Sequence, residues 1–395
     1  MIWPSGANQG CGLHEKIRIL ILTPRFPPHV GGGAEVYGTY ARMLDRHPRV
    51  RLRVLTEVLS HSVHDESFSP GVRIYRFLPL RDNKGPISLG YKVVSFILQY
   101  LILTILLPIL ILIDHIDVVH YTRYYWSPFL IYLKLIRILT GIKLIVDLRN
   151  PDQAEKFNFR LKAYDRILTN SEGTHRAAQA MKGNSDGLHL IPTPFLKPVL
   201  SFETGLLIKV SNSPFDLESV KPYVAFCGIV SERKNPHLLL NAFQQTRCYQ
   251  EANYSLIFAG ENRVPDWNRR VQQVNRVYYL GPLSHADSIK VIRGAELYVL
   301  PSGAEGVPRS CLEALSLGVS VLVPPGIPEF DRYLPQCVLS TLSIDSLAAA
   351  IDSAVDQGCR GNYPFEINDP ITVTNTLVSI YQELTAIARP IQGLA

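Results

Sequence analysis

The chain has 395 residues, 47% of them apolar and 19% charged, with a net charge of +6. That is long for one hydrophobic core, which argues for two domains, and the composition excludes a disordered or fibrous chain. Residues 1–200 carry 25 basic and 15 acidic side chains, a balance of +10, whereas the remainder carries 15 and 19, a balance of −4.

A basic first half fits anionic lipid headgroups or a phosphate-bearing acceptor. A merely solvated basic face fits the count too. Nucleic acid fits less well, because the basic residues are scattered. The six cysteines form no CxxC pair and several sit inside apolar runs, as expected of reduced core or loop thiols in a cytoplasmic protein; no metal is expected.

In chain order, 1–16 has no apolar core and reads as a flexible tail. Strand-like runs follow at Ile17–Leu22, Leu52–Val58, Val118–Tyr121, Leu144–Asp147, Ile167–Asn170 and Leu188–Ile191. Helical spacing appears at Ala34–His47, Pro128–Leu139 and Glu172–Met181, which makes a doubly wound α/β sheet.

Val93–Ile113 has no charge and the length of a bilayer span. Strands of one sheet on both sides of it favour a non-spanning helix, either buried against the sheet or lying in the lipid interface beside Lys92. Prolines then crowd Pro192–Pro222, which reads as a linker.

A second alternating series begins with strands at Tyr223–Gly228, Tyr254–Gly260, Val277–Leu280, Leu297–Leu300 and Val319–Val323. Its helices are Pro236–Gln245, His285–Arg293 and Pro308–Ser316, and a last helix covers Thr372–Ala388. The expected domains are 17–205 and 206–371, with 372–395 as a terminal helix.

Three loops carry chemistry. Gly31-Gly32-Gly33, between strand and helix, allows close backbone approach to a phosphate, or is only a flexible turn. Lys234, beside Arg233 after Gly228, can meet a diphosphate as a point charge at a helix start. In PSGAEGVPRSCLEAL, Glu305 lies on a loop over the strand ends and Glu313 lies inside the following helix. Backbone N–H groups around Val307–Ser310 would form an anion site between them. Glu313 alone would be an ordinary helix glutamate; the pair around that loop is what singles it out.

These stretches, with DVVHY, DRILTNSE, GIVSERKNPHLLLNAF, LIFAGE and VPPGIPE, resemble the family 4 retaining glycosyltransferases over nearly the whole chain. The E-x7-E pattern followed by EAL is the most specific part. The resemblance implies a GT-B fold: two facing Rossmann-like domains, with a C-terminal helix crossing back to the first.

It also implies roles. Glu305 would contact the transferred sugar, Glu313 the nucleotide ribose and Lys234 the leaving diphosphate. Gly228 would line the donor site, and the backbone of Gly306, Val307, Pro308, Arg309 and Ser310 would hold phosphate. Gly31–Gly33 would face acceptor and phosphate. The donor would be a UDP- or GDP-sugar, the acceptor a glycan or lipid-linked glycan, with neither metal nor cofactor. Apart from the resemblance, the basic first half and Val93–Ile113 allow a membrane-surface contact.

Two departures stand out. Ile229 occupies the usual arginine position, leaving Arg233 or Arg309 as substitutes. Arg149 stands where the family often has histidine, with His120 one strand earlier. An active transferase and a catalytically weakened partner subunit both follow from this; an epimerase or phosphorylase fits less well.

Overall fold

The computed structural model describes residues 16–29, 31–58, 68–78, 89–198, 207–210, 213–359 and 361–386. The expected tail up to residue 15, the Lys92 side chain and the end of the terminal segment from 387 lie outside the described residues.

In the first domain, β1 (Ile17–Leu22) leads to α1 (Gly32–Asp45), β2 (Val50–Glu57), β3 (Arg73–Leu78), α2 (Leu89–Ile113) and β4 (Val118–Tyr121). Then come α3 (Ser127–Thr140), β5 (Lys143–Leu148), α4 (Pro151–Lys156), β6 (Arg166–Thr169), α5 (Glu172–Lys182) and β7 (Leu188–Leu190). All pairings are parallel, in the order β3-β2-β1-β4-β5-β6-β7.

Alternation along β1 explains why both faces are covered. Leu20 and Leu22 join the core under α2 and α3, while Ile19 and Ile21 join the core under α1. Sequence analysis missed β3, an edge strand whose arginines and half-exposed apolar residues give no buried run.

The expected linker holds an antiparallel hairpin, β8 (Leu207–Val210) with β9 (Ser213–Asp216). Its two strands are only four residues each, and β9 is largely exposed and contains Pro214, which hid the hairpin from periodicity.

The second domain runs β10 (Tyr223–Cys227), α6 (Pro236–Gln244), α7 (Arg247–Gln250), β11 (Ser255–Ala259), α8 (Trp267–Gln272), β12 (Val277–Tyr279), α9 (His285–Gly294) and β13 (Leu297–Val299). It closes with α10 (Arg309–Ser316), β14 (Ser320–Leu322), α11 (Pro328–Tyr333) and α12 (Ile344–Gln357). Its parallel sheet has the order β12-β11-β10-β13-β14.

Helix α13 (Pro370–Ala386) ends the described chain and packs Leu377, Tyr381 and Leu384 into the core shared by α1 and β1. Both sheets reverse their winding order beside their first strand. In open parallel sheets, the carboxyl ends at such a reversal are where ligands bind.

Candidate active site between the two sheets

In the second domain, β10 ends at Cys227 and β13 at Val299, adjacent strands whose following loops converge. The β10 loop makes a short 3-10 turn at Glu232–Lys234 before α6. Asn235, left-handed at φ 49°, donates from its side chain to the Pro301 carbonyl at 2.8 Å. The Gly303 amide donates to the Arg233 carbonyl, also at 2.8 Å. These bonds tie the two loops together.

The result brings Arg233, Lys234 and Glu305 into one cluster. The Glu305 carboxylate lies 3.1 Å from Arg233 Nη1 and 4.0 Å from Lys234 Nζ. The same Arg233 nitrogen also donates to the Ala304 carbonyl. Lys234 crosses over Gly228, where a Cβ would sit 2.8 Å from its Nζ. Ile229, next to Gly228, is only partly buried.

Helix α10 begins at Arg309, with Pro308 as its N-cap residue instead of the expected first helical residue. Cys311 and Leu312 donate to the Pro308 carbonyl, so the amides before them form the open, partially positive end of the helix. Gly306 is needed for contact between domains: a Cβ there would lie 2.9 Å from Asn170 Nδ2 and 3.1 Å from the Arg149 carbonyl oxygen. The 305–310 loop is thus pressed against the ends of β5 and β6.

Glu313 is 8% exposed in its side chain and is paired within its own domain. It accepts from Arg309 Nε at 3.1 Å and from His285 Nε2 at 2.9 Å. Sequence analysis missed His285, whose position at the start of α9 is 28 residues away along the chain. The hydrogen bond to Glu313 pulls its pKa above the usual 6.5, and partial burial opposes that. Arg309 Nη1 is buried and has no hydrogen-bond partner among the described residues.

The first domain treats its candidate residues differently. Around Gly31–Gly33, at the start of α1, no described residue comes within 4 Å of a would-be Cβ, but Gly31, at φ +138°, has a backbone conformation that favours glycine. Arg149 does not point out as a free phosphate cation. Its guanidinium lies 3.2 Å from Asp147 and donates to Thr193 Oγ1 at 2.7 Å.

His120 is buried with Nδ1 2.7 Å from the Tyr381 hydroxyl and Nε2 3.7 Å from Asp147. Both Arg149 and His120 therefore belong to a buried network around Asp147. Tyr37 donates to Asp147 at 2.7 Å. Burial works against the Asp147 charge, but Arg149 beside it, then His120 and Tyr37, hold its carboxyl below the usual range.

The domains also meet where α5 and α11 begin. The Glu172 amide at the start of α5 donates to Glu329 at 2.6 Å, and Arg332 Nη2 bonds the Glu172 carboxylate at 2.9 Å. Among the described residues, no three His, Cys, Asp or Glu side chains group in a way that could hold a metal ion.

This architecture is the GT-B fold. Solved structures that share it include Anabaena HepE in complex with UDP and glucose (15% identity, 94% of this chain and 99% of that one, TM-score 0.59). Sucrose-phosphate synthase from Thermosynechococcus elongatus is another (14% identity, 94% and 100%, TM-score 0.66). A third is the lipopolysaccharide outer core galactosyltransferase WaaB (14% identity, 94% and 99%, TM-score 0.57).

Residues 211–360 match the family described as "Glycosyl transferases group 1". No curated protein matches the chain. The family match on the second domain, carried by a GT-B frame, supports a glycosyltransferase.

Proposed function

We propose that the chain is a retaining, metal-independent glycosyltransferase of family 4. It would move a hexosyl group from a UDP- or GDP-sugar to a glycan or lipid-linked acceptor in envelope or extracellular polysaccharide synthesis, at the cytoplasmic side of the membrane. The observation that carries this is the Arg233–Lys234–Glu305 cluster beside the open end of α10, facing the other sheet across Gly306.

Two cations and a helix N-terminus suit a diphosphate, and a carboxylate beside them repels an anion unless it binds sugar hydroxyls. A donor diphosphate would draw Arg233 and Lys234, freeing Glu305 to hold the sugar. The acceptor oxygen then attacks the anomeric carbon from the leaving-group side as the bond to the phosphate oxygen breaks. That oxygen takes the acceptor proton, so no side-chain base is needed.

Glu313, held by Arg309 and His285, lies at the ribose end. Arg309, with an unpartnered Nη1, fits the role of the cation missing at Ile229. HepE, whose structure holds UDP and glucose, and WaaB, a lipopolysaccharide galactosyltransferase, support the donor and acceptor classes.

Incubation with a panel of UDP- and GDP-sugars, read by nucleotide release, tests this. Failure of every donor to bind or turn over sinks it. Ile229, and an Arg149 spent on Asp147, favour a second reading: a weakened subunit that binds without transferring. On the first reading, Ile229→Arg changes turnover less than about tenfold, because the site already holds its cations. A hundredfold gain would show a site short of one.

A further inference from the structure

α2 and α3 lie side by side on one face of the first sheet, and among the described residues nothing covers their outer surfaces. α2 has no charged side chain between Val93 and Ile113. Its inner face, with Leu103 and Leu107, is fully buried. Its outer face sets out nine large apolar side chains, each 43–67% exposed.

α3 continues that surface with Ile131, Leu135, Ile138 and Leu139, each 52–74% exposed. Trp126 joins the helices, its ring centroid 5.4 Å from Phe96 and 4.9 Å from Tyr100, and Tyr132 donates to the Thr104 carbonyl. With Trp126, these two helices hold 14 of the 19 exposed large apolar side chains among the described residues. Single exposed leucines need no explanation, but a contiguous patch does.

The patch is not a span. β3 and β4, which flank α2, belong to one sheet, and a third of the apolar window is buried on it. We propose that the α2–α3 face seats the protein on an anionic lipid surface, with both helices lying in the interfacial plane. The surface is almost wholly aliphatic, whereas the cores of protein interfaces favour aromatics and arginine.

The first half's balance of +10 complements acidic headgroups, and exposed Lys134 stands within the α3 patch, where its stem can reach outward to them. Trp126 lies at the rim, a residue suited to the headgroup level. Both helices start at the carboxyl ends of the strands, so the seated face begins at the cleft mouth. Tyr125, next to Trp126, donates to the Asp147 carbonyl at 3.2 Å. This rests on the lipid-linked acceptor of the proposed function: an acceptor anchored in the same leaflet reaches the cleft without leaving the bilayer.

The full chain is sedimented with phosphatidylcholine vesicles, with and without phosphatidylglycerol, beside the double variant Ile105→Glu, Ile138→Glu. Both substituted side chains are exposed, and melting curves confirm that the variant folds. The wild type should pellet preferentially with the anionic vesicles, and the variant should lose about tenfold or more in partitioning. UDP and GDP binding should be the same in both.

Wild-type protein that ignores both vesicles overturns the proposal, as does a variant that pellets equally well. So does a lipid-free dimer that the same substitutions dissociate, which would give the face to a second copy. Vesicle binding without nucleotide binding refutes the transferase reading and leaves the lipid face standing; the reverse result does the opposite.

Discussion

Lys234 and Arg233 share one carboxylate but differ in exposure, and their removal should differ accordingly. Lys234 is 15% exposed and Arg233 44%. Lys234→Ala should lower kcat/KM by about a hundred- to thousandfold, as for loss of one charge-assisted contact in a transition state. Arg233→Ala should cost only about tenfold, since solvent already screens that charge. Steady-state assays with the active donor decide this; equal losses would mean that exposure does not rank the two.

His285 offers a pH signature. Its folded pKa is raised above 6.5, so the stability it supplies is full below that value and is lost as pH rises through the folded pKa. Melting temperatures between pH 6 and 9 should therefore decline in a way that His285→Gln removes. A variant that keeps the same slope would exonerate the His285–Glu313 pair.

At the scale of elements, one glycine pair locks β10 to β11. Gly260 has φ +136°, and a Cβ there would lie 1.9 Å from the Gly228 carbonyl oxygen. Gly260→Ala should cost about 3 kcal/mol or more through strain and overpacking, read from a denaturant midpoint.

The strands around this contact were legible because both faces are buried and the runs are continuously apolar, as in YVAFC and SLIFA. β3 was not, being half exposed. α12 was legible in principle and passed over: Ser343 caps it by accepting from the Ser346 amide, and Gly358 follows its end.

In the candidate site, the loops of the second domain could be read because their residues are close in sequence. The network of Asp147, Arg149, Thr193 and Tyr381 could not. Its members are brought together by the return of α13 and by the chain after β7, and no local spacing announces them. The same holds for α3: its helical spacing is legible, but not that Ile131, Leu135 and Ile138 stay 52–69% exposed.

At the scale of the molecule, α13 stitches the end of the chain to its beginning. Tyr381→Phe would leave buried His120 without its hydroxyl partner, at a cost of about 1–3 kcal/mol. Urea titration should show the midpoint fall with the slope unchanged, and an unaltered midpoint would mean that the contact is dispensable.

The return of α13 also constrains how such a protein can be recombined. The first domain is not a contiguous stretch of gene, because Leu377, Tyr381 and Leu384 complete the wall over α1 and β1. A second-domain cassette exchanged between relatives can therefore run from about the β8–β9 hairpin to the end of α12. If it carried α13 along, it would bring a foreign wall into the first domain, and the hybrid would fail at packing before its activity could be tested.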